Sequence, residues 1–154
     1  MSECYHSGDF KKYFTENMND LGAPVPSGLF DSYQKAIGTT ALLVGTLSKL
    51  GKGATIAELV GATVGAEKLM VAGAFGAAAY TGFVIGSIAV ASGRSLSCGS
   101  RISDMFVFAH QNKLQFKGCH ALYFHNPQIF DRSCSFRSIL GLRAKTSPAS
   151  FEYA

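Results

Sequence analysis

The stretch Leu69 to Gly93 constrains this chain more than any other. It runs LMVAGAFGAAAYTGFVIGSIAVASG, 25 residues without a charged side chain, with Glu67 and Lys68 before it and Arg94 after it. At about 1.5 Å per helical residue it is long enough to cross a hydrocarbon core of roughly 30 Å. Twelve of its residues are Gly or Ala, which drive membrane insertion far less than Leu or Ile do. At helical spacing Ala74, Ala78, Gly82 and Gly86 form one ridge of small side chains. Such a ridge lets helix backbones approach closely, which is how helices pack where lipid supplies no hydrophobic push. The stretch spans poorly alone and packs well in company.

A chain of 154 residues fits one domain with a core of its own. Its charge is unevenly spread. Residues 1–35 carry a net −2, residues 36–93 a net +1 and residues 94–154 a net +5. A basic C-terminal third beside an apolar centre suits contact with anionic headgroups or an acidic partner, and equally a solvated basic surface. The opening residues MSECYHSGDFKKYF contain no apolar h-region, so a cytoplasmic chain, one inserted by its internal segment, or export by a route that ignores N-terminal signals is expected. Four dispersed cysteines (Cys4, Cys98, Cys119, Cys134) do not read as a disulfide framework; free thiols are expected, with one disulfide as the alternative.

Three regions follow. Residues 1–26 form an amphipathic N-terminal segment in which Phe10, Tyr13, Phe14 and Met18 recur at helical spacing. That face suits a membrane surface, a partner, or the chain's own core. Residues 27–93 form a glycine-rich hydrophobic region. A helix is predicted over Leu29–Leu50, with Ser27 as its N-cap and Asp31 in its first turn, ending at Gly51-Lys52-Gly53. Ala54–Lys68 resumes as an amphipathic helix, on which Gly53, Ala57, Gly61 and Gly65 make a second small-residue ridge. Eleven of the chain's 17 glycines lie in residues 36–93. Each would cost up to about 1 kcal/mol relative to Ala inside a water-exposed helix, so their number argues for close helix contact.

Residues 94–154 are basic and aromatic-rich, and the sequence places them in one domain with the rest. Arg94–Arg101 reads as a loop. The clusters MFVFA, LQF and ALYF in Asp104–Phe124 fit two or three short strands, or a helix followed by a hairpin. Asn126-Pro127 starts a turn, Ser135–Leu142 suits a short helix, and Thr146–Ala154 reads as a tail. The fold class is therefore mainly α, a Gly/Ala-rich helical hairpin or bundle with a small C-terminal part that admits β-structure.

Catalytic chemistry finds little support. Cys119, His120, His125 and Cys134, with His110 and Cys98 upstream, are the candidates. A zinc site takes four ligands, usually in two close pairs, and adjacent Cys119 and His120 ordinarily cannot both reach one ion. No metal and no cofactor are expected. A Cys–His nucleophile pair lacks any flanking signature. The ten acids are scattered, and there is no phosphate-binding Gly-Lys loop or credible dinucleotide fingerprint. Nucleic-acid binding through Lys113, Lys117, Arg132, Arg137 and Arg143 would leave the uncharged centre without a role, and is not expected. Glu58 and Glu67 flank the ridges; an acid facing a lumen between helices would favour cations, although either one suits a solvated surface.

The two ridges, Gly53-Ala57-Gly61-Gly65 and Ala74-Ala78-Gly82-Gly86, with an unsignalled N-terminus and a basic aromatic-rich C-terminal part, resemble the small pore-forming antibacterial effectors of the type VI secretion system. The resemblance covers about a third of the chain and is one of pattern. It implies a toxin carried by the secretion tube's ring protein and neutralised in the producer by a membrane-embedded immunity protein. Such a toxin would insert in the target cell's inner membrane, from the periplasmic side, as a self-associated pore. The expected function is thus a non-enzymatic pore former. A Leu at Gly82 or Gly86 should push neighbouring helices apart and remove ion leakage. The alternatives are a resident small membrane protein or assembly subunit, and an enzyme with its site in the C-terminal third.

Overall fold

Amphipathic segments on either side of an uncharged run have one economical arrangement, in which they wrap it. The protein's computed structural model describes residues 9–23, 25, 28–50, 77–94, 96–116 and 118–131. Among the described residues there are five helices and no strands. They are α1 (Phe10–Asp20), α2 (Tyr33–Leu50), α3 (Ala77–Ala91), α4 (Ile102–Gln111) and α5 (Cys119–His125), with 3-10 turns at Leu96–Cys98 and Pro127–Phe130.

Local chemistry sets the ends of these elements. The Asp9 carboxylate accepts the Lys12 N–H at 3.1 Å, capping α1. The Ser32 hydroxyl accepts the Lys35 N–H at 3.2 Å and opens α2. The predicted start at Leu29 is therefore four residues early: residues 28–32 form turns, and the Thr39 hydroxyl holds them by donating to the Leu29 carbonyl at 2.9 Å. At the end of α3, Gly93 takes φ +87°, and the Arg94 N–H folds back to the Ala89 carbonyl at 2.9 Å. A left-handed residue after the last turn satisfies carbonyls that the helix leaves open, and glycine adopts it without a Cβ penalty.

Helix α3 is the axis of the molecule. Every residue from Ala78 to Ala91 is buried, and α1, α2, α4, α5 and the Pro127–Phe130 turn all contact it, α1 most extensively. A helix that is apolar all round has to be enclosed, whether by protein or by lipid. Here protein encloses it. Helix α1 turns Phe14 and Met18 fully inward, so the face seen in residues 1–26 is spent on the chain's own core. Phe14 stacks on Phe10 at 5.7 Å and on Phe30 at 4.8 Å between ring centroids. Helix α2 buries Ala36, Thr40, Leu43 and Val44 and leaves Gly38, Leu42 and Gly45 exposed. One core cluster draws on all five helices, and so on the N-terminal, central and C-terminal regions alike.

The strands admitted for Asp104–Phe124 do not form. Met105, Phe108 and Ala109 fall on one helical face and are buried, while Val107 and His110 are exposed. Asp104 also accepts the Arg101 N–H at 2.6 Å at the start of α4. The alternation in LQF is real, with Leu114 and Phe116 buried and Gln115 exposed, but it belongs to an irregular link between α4 and α5. The Gly51-Lys52-Gly53 turn, the helix over Ala54–Lys68, the stretch 69–76, the helix over Ser135–Leu142 and the tail from Thr146 lie outside the described residues. No described helix is long and apolar enough to cross a membrane.

Candidate functional site

Of the predicted ridges, Ala78, Gly82 and Gly86 are described, and all three are buried. Gly53, Ala57, Gly61, Gly65, Ala74, Glu58 and Glu67 lie outside the described residues. The glycines of α3 do mark a close approach, but what approaches is the C-terminal part of the chain. A Cβ built at Gly82 overlaps the Leu122 δ-methyl, and one at Gly86 overlaps the Ile129 γ-methyl with Phe130 at 3.3 Å. Two hydrophobic knobs thus sit in two glycine holes, four residues apart on one face of α3.

Sequence and local geometry place these knobs. Gly118 takes φ +87° and turns the chain into α5, where Leu122 and Tyr123 share the inward face with Cys119. The Asn126 side chain donates to the Leu122 carbonyl at 3.0 Å and closes the helix. Pro127, with its fixed φ, then starts the turn that delivers Ile129 and Phe130. The Tyr123 ring lies 4.8 Å from that of Phe130, and its hydroxyl donates to the Gly82 carbonyl at 3.2 Å. Leu122, Tyr123, Ile129 and Phe130 are wholly buried. Burial of a side chain of this kind contributes about 1.5–3 kcal/mol, so this C-terminal clamp is a principal stabilising contact. The same burial pushes the Tyr123 phenol well above the usual tyrosine range.

The opposite face of α3 is held differently. Ser87 lies about 140° round the helix from Gly82, at 3.6 residues per turn. Its hydroxyl accepts from the Asn17 amide at 2.8 Å, a buried tie between α1 and α3. The sequence marked neither Asn17 nor the clamp residues. An Asn on the apolar side of α1 was the available signal, and only its partner gives it meaning.

Among the described residues the candidate chemistry of the C-terminal third does not assemble, and Cys134 lies outside them. Cys119 is a buried free thiol whose ionisation is pushed up by desolvation, a poor state for a nucleophile. His120, next in sequence, points outward against the Phe106 ring at 4.6 Å. His110 and His120 are joined through the Gln115 carboxamide at 3.3 and 3.2 Å, an exposed bridge between α4 and α5. Two imidazoles fall short of the ligand number that zinc takes. Among the described residues there is no group of three or more His, Cys, Asp or Glu able to hold a metal ion. His125 stands edge-on to exposed Phe124. Cys98 is disulfide-bonded, so the alternative of one disulfide holds there in place of a free thiol. A cleft of about 300 Å³ opens beside Arg94, Ser100, Asp104, Phe108 and Gln111. Arg94 lies 4.9 Å over the Phe108 ring there, and none of the polar lining side chains is buried. The best-built arrangement in the described chain is therefore the enclosure of α3 between the Asn17–Ser87 tie and the clamp. Comparison with known proteins adds no name to it: no protein family, no curated protein and no solved structure matches this chain.

Proposed function

We propose that the chain is a membrane-inserting pore former, held in the fold described above until it meets a bilayer. The observation that carries this reading is the central helix: fourteen consecutive residues, Ala78 to Ala91, are buried, and none of them is charged. A helix without a polar face exchanges protein neighbours for lipid at little cost, because both surroundings are apolar. The amphipathic helices around it would lie at the headgroup level once it leaves them. Helix α3 has 15 residues and so spans about 22 Å, short of a hydrocarbon core of roughly 30 Å. The reading therefore requires the helix to draw on the uncharged run back to Leu69 when it inserts.

The rest of the biological setting enters through the sequence resemblance to type VI effectors. Delivery by a secretion-tube ring protein, an immunity protein in the producer, and depolarisation of the target's inner membrane by a self-associated pore all belong to the proposal on that footing. Purified protein added to planar bilayers of bacterial inner-membrane lipid tests it. Stepwise conductance is expected, together with growth arrest when the chain is sent to the periplasm. Sealed bilayers at every protein-to-lipid ratio, with folded protein and unimpaired growth, overturn it. Gly82→Leu is a poor probe, because a Leu side chain there collides with Leu122 in the folded form and confounds folding with pore packing.

A further inference from the structure

We infer that the clamp, Cys119 to Phe130, is the first wall to detach from the central helix, so that opening begins on the Gly82–Gly86 face while α1 is still docked. This deepens the pore-forming reading and rests on it for its biological meaning, but the order of opening is a property of the fold itself. The two walls differ in what their departure leaves behind. Separating α1 from α3 breaks a buried side-chain hydrogen bond, Asn17 to Ser87 at 2.8 Å, between two side chains that are both wholly buried. A buried polar group left without a partner is expensive. It also gives up the most extensive contact of α3.

Separating the clamp from α3 breaks a hydrogen bond to the helix backbone rather than to a side chain. Tyr123 donates to the Gly82 carbonyl at 3.2 Å, and a mid-helix carbonyl already accepts the N–H four residues on. The phenol itself regains a partner in water or at a headgroup. The apolar knobs Leu122, Ile129 and Phe130 seat against glycines, whose holes have no side-chain walls of their own. The clamp is also reached through a short link with two left-handed residues, Lys113 at φ +57° and Gly118 at φ +87°, where a small dihedral change swings the whole segment. A few such positions suffice for a hinge.

The geometry offers a direct lock. A Cβ at Gly86 lies 3.6 Å from the Ile129 Cβ, within the 3.5–4.5 Å that a disulfide usually spans. Gly86→Cys paired with Ile129→Cys also removes the γ-methyl that would have collided. The full-length double variant, oxidised and reduced, is added to vesicles of inner-membrane lipid, with wild-type protein in the same reductant as the control for the Cys98 disulfide. At least tenfold slower leakage in the oxidised form, restored by reduction, is expected. Undiminished leakage with complete cross-linking overturns the inference. A second measurement needs no variant and no membrane: native-state hydrogen exchange of wild-type protein in low denaturant. Amides of 119–130 are expected to open at lower denaturant than those of 10–20. Simultaneous opening, or α1 opening first, overturns the inference whatever the vesicles do. Sealed vesicles with the clamp opening first would instead remove only the pore-forming reading.

Discussion

Helices α2 and α3 both carry glycines in their interiors, and the two pairs have opposite uses. At Gly38 and Gly45 in α2 an added Cβ meets nothing within 4 Å, and both positions are exposed. At Gly82 and Gly86 in α3 the same atom runs into Leu122 and Ile129. In α2 glycine loses helix propensity with no compensating contact among the described residues. In α3 the same loss is offset by apolar side chains that could not otherwise come so near. A spacing of small residues therefore records that a close approach is allowed, not that one takes place.

The severest way to probe the α3 enclosure is alkali. Burial holds the Tyr80 and Tyr123 phenols above the ordinary value near 10. The unfolded chain releases these protons near pH 10 while the folded chain keeps them, so their contribution to stability is intact below that pH and is lost as pH rises above it. Cooperative unfolding above about pH 10 is expected, with tyrosinate absorbance rising in step with loss of helix by circular dichroism. Tyrosinate absorbance completed while the helices persist would show that the enclosure is looser than described.

Next in size is Leu122→Ala, which empties one glycine hole and should cost about 2–5 kcal/mol by denaturant unfolding. Gly82→Ala follows, at about 1–3 kcal/mol, from overpacking against the same side chain. The two changes meet in one cavity, so the double variant should be more stable than their sum predicts; strict additivity would mean that the knob and the hole do not touch. Asn17→Ala, which leaves the Ser87 hydroxyl without its partner on α1, should cost about 1–3 kcal/mol. The smallest effect carries the opposite sign. Gly38→Ala and Gly45→Ala should each stabilise the protein by up to about 1 kcal/mol, and destabilisation at either would end the contrast between the two pairs.

Much of the helical order was legible. Phe10, Tyr13, Phe14 and Met18 at helical spacing and the uncharged run that ends at Gly93 are local signals, and local hydrogen bonds decide where such helices end. The start of α2 was misplaced because Ser27 and Ser32 both suit a cap and only the turn between them chooses. Residues 104–124 were ambiguous because MFVFA satisfies a period of two and a period of 3.6 over so short a span. The neighbours resolved it, with Met105, Phe108 and Ala109 all turned onto the core cluster. The chemical residues near Cys119 were visible in the sequence, but their separation was not, since adjacent residues on a helix point to different sides.

The sequence alone determined that Ala78 to Ala91 had to be sheltered from water, because a run without charge or a polar face has no side fit for solvent. It also determined that something could come close to Gly82 and Gly86, because their missing side chains leave room. Which segment came close was decided only when the chain closed on itself. The contact joins residues some forty positions apart, Gly82 with Leu122 and Gly86 with Ile129, and it depends on how Gly118 and Pro127 aim two short turns. No periodicity within either partner encodes that meeting, because complementarity of shape is a property of the pair.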